Sequence, residues 1–124
     1  MTQLRLAVDP GAAVPPYAQI RAQVADQARS GVLASGTRLP TVRQLADELG
    51  VAPGTVARAY KELEADRVVE TRGRHGTFVS AGPDPAAREA FAAALAYAER
   101  VRRLGISEAD AIEAVRTAFT TTGD

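Results

Sequence analysis

The feature that most constrains this chain is a pair of short, apolar-patterned stretches separated by one glycine. Leu39-Pro40-Thr41-Val42-Arg43-Gln44-Leu45-Ala46 runs on to Leu49, Gly50 interrupts it, and Val51-Ala52-Pro53-Gly54-Thr55-Val56-Ala57-Arg58-Ala59-Tyr60 follows at once. The spacing predicts two helices joined by a tight turn. Thr41 and Gln44 have capping-box spacing, so the first helix starts just after Pro40, and Leu45 and Leu49 are its core contacts. Gly50 ends it. The second helix starts near Pro53, since proline is tolerated in a first turn, and buries Val56, Tyr60 and Leu63 at helical spacing. Ala52 stands where a capping side chain is expected, which costs about 1 kcal/mol against Asn or Ser. The other side of this second helix carries small, polar and basic residues. Such a helix fits a groove of duplex DNA while its back packs on a core.

The flanking sequence completes a small domain. Leu4, Leu6 and Val8 alternate with Arg5 and Ala7, a weak strand signal that ends at Asp9-Pro10-Gly11. Pro15-Pro16 opens a helix with Tyr17, Ile20, Val24 and Ala28 on one stripe and Gly31 as its end. Residues 31–36 form a turn-rich connector. The β-branched and aromatic runs Val68-Val69-Glu70-Thr71-Arg72 and Thr77-Phe78-Val79-Ser80 flank Gly73-Arg74-His75-Gly76, which predicts a β-hairpin. Three helices and a terminal hairpin make a winged helix-turn-helix over residues 1–81, with an N-terminal extension.

Gly82-Pro83-Asp84-Pro85 breaks the chain and marks a domain boundary. From Ala86 to Leu104 an alanine-rich helix carries Ala87, Phe91, Ala94, Ala98, Val101 and Leu104 on one stripe, with Gly105 as its end. Ser107 and Asp110 cap the next helix, and Ile106 is placed as a hydrophobic staple against Ala111. Ala111, Ile112, Val115 and Phe119 form a second stripe. Residues 82–124 are therefore expected as an antiparallel αα-hairpin, and the whole chain as mainly α with a small β-hairpin. Helices draw most of their stability from tertiary packing, and two isolated helices cannot bury both stripes. Self-association through Phe91, Leu95, Ala98, Val101, Ile112, Val115 and Phe119 is the expected remedy.

Composition narrows the chemistry. Hydrophobic residues make up 46% of the 124-residue chain but aromatics only 5%, which favours helix packing over a thick sandwich. Without cysteine there are no disulfides and no thiolate metal sites, as suits a reducing interior. The single histidine, His75, cannot assemble a metal cluster without several carboxylates near it. No stretch has the pattern of a signal peptide or a membrane span, so the expected location is the cytoplasm. Formal net charge is zero, yet residues 1–80 hold ten Lys/Arg against eight Asp/Glu and residues 81–124 hold five against seven. A slightly basic first part beside a slightly acidic second part suits a DNA-binding module joined to one that is not.

Taken together, Pro16-Tyr17-Ala18-Gln19-Ile20, the Leu39–Ala46 segment, Thr55-Val56-Ala57-Arg58-Ala59-Tyr60-Lys61-Glu62-Leu63-Glu64 and Arg74-His75-Gly76-Thr77-Phe78-Val79 resemble the GntR family of bacterial transcription regulators. The tail from Leu104-Gly105-Ile106-Ser107 through Val115 resembles the helical dimerisation tail of its small YtrA-like subfamily. The resemblance implies a DNA-binding set of Arg43, Pro53, Gly54, Thr55, Arg58, Arg74, His75 and Gly76. Arg43 can reach a phosphate or a guanine edge, where a bidentate contact discriminates by about 1–3 kcal/mol. Thr55 can donate to a phosphate or touch a thymine methyl. Gly54 allows close backbone approach, and the helix N-terminus favours a phosphate. Arg74, His75 and Gly76 are placed to enter a minor groove, as wing tips of the family do. Plainer readings stand beside these: Arg58 pairs with Glu62, or Arg43 with Asp47, as solvated i,i+4 partners. Lys61 reads as a surface charge, Tyr17 and Tyr60 as core, and His75 equally as an exposed turn residue. Two positions depart from the family pattern: Gly54 replaces a common polar residue, and Ala57 a common basic one.

The expected function is a sequence-specific, homodimeric repressor without cofactor or metal, and the subfamily resemblance implies its own or a neighbouring transporter operon as the target. The alternative is a winged-helix protein-interaction module that never touches DNA. An enzyme is a poor third reading, with no nucleophile–base pair visible. Relatives with an aminotransferase-like domain need a Schiff-base lysine, and the 44 residues after Ser80 contain none. Two helices enclose at most a small pocket, so an effector is unspecified.

Overall fold

The structure, a computed structural model, describes residues 4–82 and 84–122. Its elements are α1 (Pro16–Ser30), α2 (Val42–Leu49), α3 (Pro53–Ala65), β1 (Val69–Thr71), a single 3-10 turn (Gly73–His75), β2 (Thr77–Val79), α4 (Pro85–Arg103) and α5 (Glu108–Thr122). The chain divides into two units, Met1–Arg88 and Glu89–Asp124. Pro83, in the expected boundary segment, lies outside the described residues. The first turn of α4 goes with the first unit, where the Arg72 guanidinium donates to the Arg88 carbonyl at 3.3 Å.

The first unit is organised around the inner face of α3. Val56, Ala59 and Leu63 are fully buried and Tyr60 nearly so, packed with Ile20 and Val24 of α1, Leu45 and Ala46 of α2, and Val69 and Val79 of the hairpin. Fully burying a Val, Leu or Ile contributes about 1.5–3 kcal/mol, against about 0–1 kcal/mol for an exposed ion pair. The core therefore sets the rotation of α3, and surface charges do not. Tyr60 also carries the sole polar group of this face, and its hydroxyl donates to the Pro40 carbonyl at 2.8 Å. Burial, and next the charge of Glu48, push its phenol pKa upward, so it remains a donor.

Local signals set the helix ends. Thr41 and Gln44 form the reciprocal capping box: the Gln44 N–H donates to Thr41 Oγ1 at 3.1 Å and the Thr41 N–H to Gln44 Oε1 at 2.9 Å. Gly50, at φ +67°, turns the chain out of α2. No side chain caps α3 at Ala52, as expected from its sequence. The end of α3 breaks a rule. Val68 N–H bonds to the Leu63 carbonyl at 2.9 Å and Arg67 N–H to the Glu64 carbonyl at 3.0 Å, a Schellman ending with Arg67 at the left-handed position, φ +62°. Arg67 is the single non-glycine residue with positive φ among the described residues.

Two segments adopt structures that the sequence pattern did not disclose. Residues 4–9 form no strand. They run extended along α1, where three glutamines one turn apart bond to every second residue of the backbone. Gln19 accepts from Asp9 N–H at 2.8 Å and donates to the Asp9 carbonyl at 2.9 Å; Gln23 does the same to Ala7 at 3.0 and 2.8 Å; Gln27 donates to the Arg5 carbonyl at 2.8 Å. The match is geometric: two extended residues rise about 6.7 Å and four helical residues about 6 Å. Leu4, Leu6 and Val8 thereby pack against the core. The alternation was real, but its partner is a row of side-chain amides. The connector before α2 is likewise more than a turn. Gly36 N–H donates to the Val79 carbonyl at 2.9 Å, Val79 N–H to the Thr37 carbonyl at 2.8 Å, and Leu39 N–H to the Thr77 carbonyl at 2.8 Å, so residues 36–39 line the free edge of β2.

In the second unit, the rest of α4 and α5 form a two-helix hairpin. Gly105, at φ +75°, ends α4 with Ile106 N–H on the Val101 carbonyl at 3.0 Å, and Ser107 Oγ caps α5 through Asp110 N–H at 3.1 Å. The Tyr97 hydroxyl ties the helices by donating to the Ala111 carbonyl at 2.8 Å.

Between α1 and α3, the Arg21 guanidinium bonds to Glu62, whose other oxygen lies 3.4 Å from Arg58 Nε. The Arg21 hydrogen bond first, and the Arg58 bond second, hold the Glu62 carboxyl below the ordinary carboxylate pKa. A depressed carboxyl contributes stability above its unfolded pKa and loses it as pH falls through the folded one. Unfolding titrations from neutral pH into the acid carboxylate range should thus show a loss that Glu62→Gln removes; identical profiles for both proteins would count against the clamp. Arg67→Gly should raise stability by about 0.5–1 kcal/mol, the left-handed cost relieved less glycine's extra chain entropy, as read by urea or thermal unfolding.

Candidate nucleic-acid interface

The burial of Val56, Ala59, Tyr60 and Leu63 leaves Pro53, Gly54, Ala57, Arg58 and Lys61 exposed on the opposite side of α3, with Thr55 half-buried at its flank. A Cβ at Gly54 would meet nothing within 4 Å, so the backbone there faces open space. Ala52 offers no cap, Pro53 has no N–H, and the Thr55 N–H donates to the Ala52 carbonyl at 3.0 Å, so the Gly54 N–H is the first-turn donor open to an external acceptor. Arg43 occupies the first turn of α2 and is exposed. It forms no ion pair or hydrogen bond among the described residues, so the alternative pairing with Asp47 is not made. Its charge remains unmatched at the start of α2, which the Tyr60–Pro40 hydrogen bond ties to α3.

Arg58 is placed differently. Its guanidinium stacks 3.7 Å above the Tyr17 ring centroid and pairs with Glu62 at 3.4 Å. The solvated-pair reading of Arg58 is thus the observed one. Tyr17, expected as core, is a half-buried platform under this cation. Stacking and pairing hold the guanidinium in one place while its side chain keeps 60% exposure, so it is ordered without being sequestered.

At the wing, β1 and β2 pair antiparallel with Val69 opposite Val79, Glu70 opposite Phe78 and Thr71 opposite Thr77. The intervening tip is one 3-10 turn closed by Arg72 N–H on the Gly76 carbonyl at 2.8 Å and His75 N–H on the Arg72 carbonyl at 2.9 Å. Gly76 has φ +111° and ψ −162°, a conformation reserved for glycine. Arg74 is exposed and His75 half-buried. The strand base is held by charge: Arg72 bonds to Glu70 at 2.6 Å, and Glu70 accepts from Ala81 N–H at 3.1 Å.

A basic side chain missing from the sequence-derived set also reaches this wing. Arg38 pairs through its backbone with Phe78, and its Nε lies 2.9 Å from where a Cβ on Gly76 would sit. Nothing in local periodicity links residue 38 to residue 76. Only the edge pairing of residues 36–39 brings them together.

In the second unit, Phe91, Leu95, Ala98 and Val101 of α4 are half-buried, while Ile112, Val115 and Phe119 of α5 are exposed, Phe119 at 73%. A single residue of α5, Ala111, is buried. Among the described residues no group of three or more His, Cys, Asp or Glu is arranged to hold a metal ion, and no helix is long and apolar enough to cross a membrane.

Comparison with known proteins agrees with this architecture. Residues 16–79 match the family model of bacterial regulatory proteins, gntR family. The chain is similar to the HTH-type transcriptional regulator Rv1152 of Mycobacterium tuberculosis, with 53% identity over 86% of this chain and 88% of that protein. It is 40% identical to the HTH-type transcriptional repressor YtrA of Bacillus subtilis over 59% of this chain and 56% of that protein. Among solved structures, YtrA from Sulfolobus acidocaldarius superposes with a TM-score of 0.58 at 32% identity, covering 60% of this chain and 79% of that one. The chain belongs to the GntR family of bacterial regulatory proteins, as a transcriptional regulator that binds DNA through a winged helix-turn-helix.

Proposed function

We propose that this regulator is a homodimeric repressor that docks α3 of each protomer into successive major grooves of its own promoter, with the wing tips in the flanking minor grooves. The observations that carry this reading are the unmatched Arg43 at the start of α2 and the uncapped, sterically open start of α3, a helix whose rotation the core has fixed. Arg43 reads or clamps the duplex, Thr55 and the Gly54 backbone meet phosphate, and Pro53 sets the helix start. Arg58, stacked on Tyr17, is presented one turn further along, and Arg74, His75 and Gly76 occupy the minor groove. The similarity to a protein named as a repressor supports the sign of regulation.

A second copy is the partner of the αα-hairpin. Leu104, Ile112, Val115 and Phe119 are all exposed, and a two-helix unit with one buried residue on α5 gains its missing core by pairing with itself. Phe91, Leu95, Ala98 and Val101 supply the α4 side of that contact. A twofold dimer also matches two half-sites one helical turn apart.

A duplex selected from a randomised library by the parent protein provides the test. With ~6–10 phosphate contacts, affinity should fall by about 10³–10⁵ between 50 and 200 mM salt, and Arg43→Ala should cost about 10-fold or more. Salt-insensitive binding, or an Arg43→Ala protein with parental affinity, would end this reading. For the dimer, sedimentation of Ile112→Asp/Phe119→Asp should show monomers with weakened binding to the two-half-site duplex. An unchanged dimer would remove the αα-hairpin from the interface.

A further inference from the structure

We infer that Arg38 is a DNA-reading residue, which together with Arg74 gives the wing a two-arginine edge fitted to a narrow, A·T-rich minor groove. This rests on the proposed docking of the wing, and adds a residue supplied from outside the hairpin. Three observations carry it. First, the backbone on either side of Arg38 is fixed: the Thr37 carbonyl accepts from Val79 N–H at 2.8 Å and Leu39 N–H donates to the Thr77 carbonyl at 2.8 Å, so the side chain starts from a rigid strand edge. Second, that side chain runs toward the wing tip and lies against Gly76, with Nε 2.9 Å, Nη2 3.4 Å and Cζ 3.5 Å from the site of a Cβ there. Any larger residue at 76 would drive the guanidinium away. Gly76 therefore serves two ends: its own φ of +111°, and the space in which Arg38 lies. Third, the Arg38 side chain is exposed and makes no ion pair or hydrogen bond among the described residues, so its charge is uncompensated.

The partner follows from chemistry. A narrow minor groove concentrates negative potential, and its floor in A·T steps offers acceptors with no protruding amino group. A guanidinium is weakly hydrated, planar and rich in donors, so it enters such a groove at a smaller desolvation cost than an ammonium does. An arginine lying against the Gly76 backbone at the edge of a wing has the dimensions to do this. Arg74 and His75 lie on the tip turn and Arg38 on the segment paired to the edge of β2, so the groove is contacted from the tip and from beside the hairpin.

The test uses the duplex selected by the parent protein, made with either A·T or G·C pairs at the flanking positions that lie under the wing. The parent should prefer the A·T flank by about 10-fold. Arg38→Ala should lose most of that preference and roughly 10-fold in affinity, Arg38→Lys should recover affinity more than preference, and Gly76→Ala should behave like Arg38→Ala. Because the backbone pairing of residue 38 does not need its side chain, Arg38→Ala should melt with the parent, which removes misfolding as an explanation. Arg43→Ala serves as the reference, losing affinity while keeping the flank preference. Retention of the preference by Arg38→Ala overturns the inference, and so does an equal loss on both flanks, which marks a phosphate contact alone. If Arg43→Ala is also without effect, the failure belongs to the docking reading itself.

Discussion

Everything this protein presents to a duplex depends on the burial of one helix face. Val56, Ala59, Tyr60 and Leu63 lock α3 against α1, α2 and the hairpin, and each fully buried aliphatic side chain is worth more than any surface pair on the opposite side. Because the inner face cannot rotate without exposing that surface, the outer face cannot rotate either. The Tyr60 hydroxyl on the Pro40 carbonyl adds a directional contact, which fixes the start of α2, and hence Arg43, relative to α3. The outer face proposed to read DNA is thus given its geometry by the residues buried beneath it.

The first unit solves two edge problems with unusual partners. The exposed edge of β2 is covered by residues 36–39, which removes a free strand edge and at the same time brings Arg38 to the wing. The N-terminal segment has no strand to pair with, and three glutamines of α1 substitute for one, each amide able to donate and accept as a peptide group does. Both solutions place polar backbone in contact with partners supplied from a distance, which satisfies groups that would otherwise lie unpaired beside the core.

Charge is used sparingly for geometry and left unmatched on the faces proposed to meet DNA. Glu62 engages both Arg21 and Arg58, and the latter rests on Tyr17, so two cations and a ring become one rigid cluster between α1 and α3. Among the described residues, Arg43 and Arg38 have no such engagement. A zero net charge therefore hides a surface where basic groups are sorted into those that hold the fold and those that face outward.

Much was legible from the residues alone. The capping box at Thr41, the left-handed Gly50 and the 3.6-residue stripe of α3 are local rules, so they announced the helix pair, its turn and its buried face. Glycine and β-branched runs announced the wing, and Gly105 and Ser107 the second hairpin. What the sequence left open was every pairing between distant segments: the side-chain ladder of Gln19, Gln23 and Gln27, the stacking of Arg58 on Tyr17, and the approach of Arg38 to Gly76. Local propensity is written in neighbouring residues, whereas these contacts join residues up to 41 positions apart and exist only once the core has fixed where each backbone lies. Periodicity settled which faces turn inward; tertiary packing alone decided which outward groups meet one another.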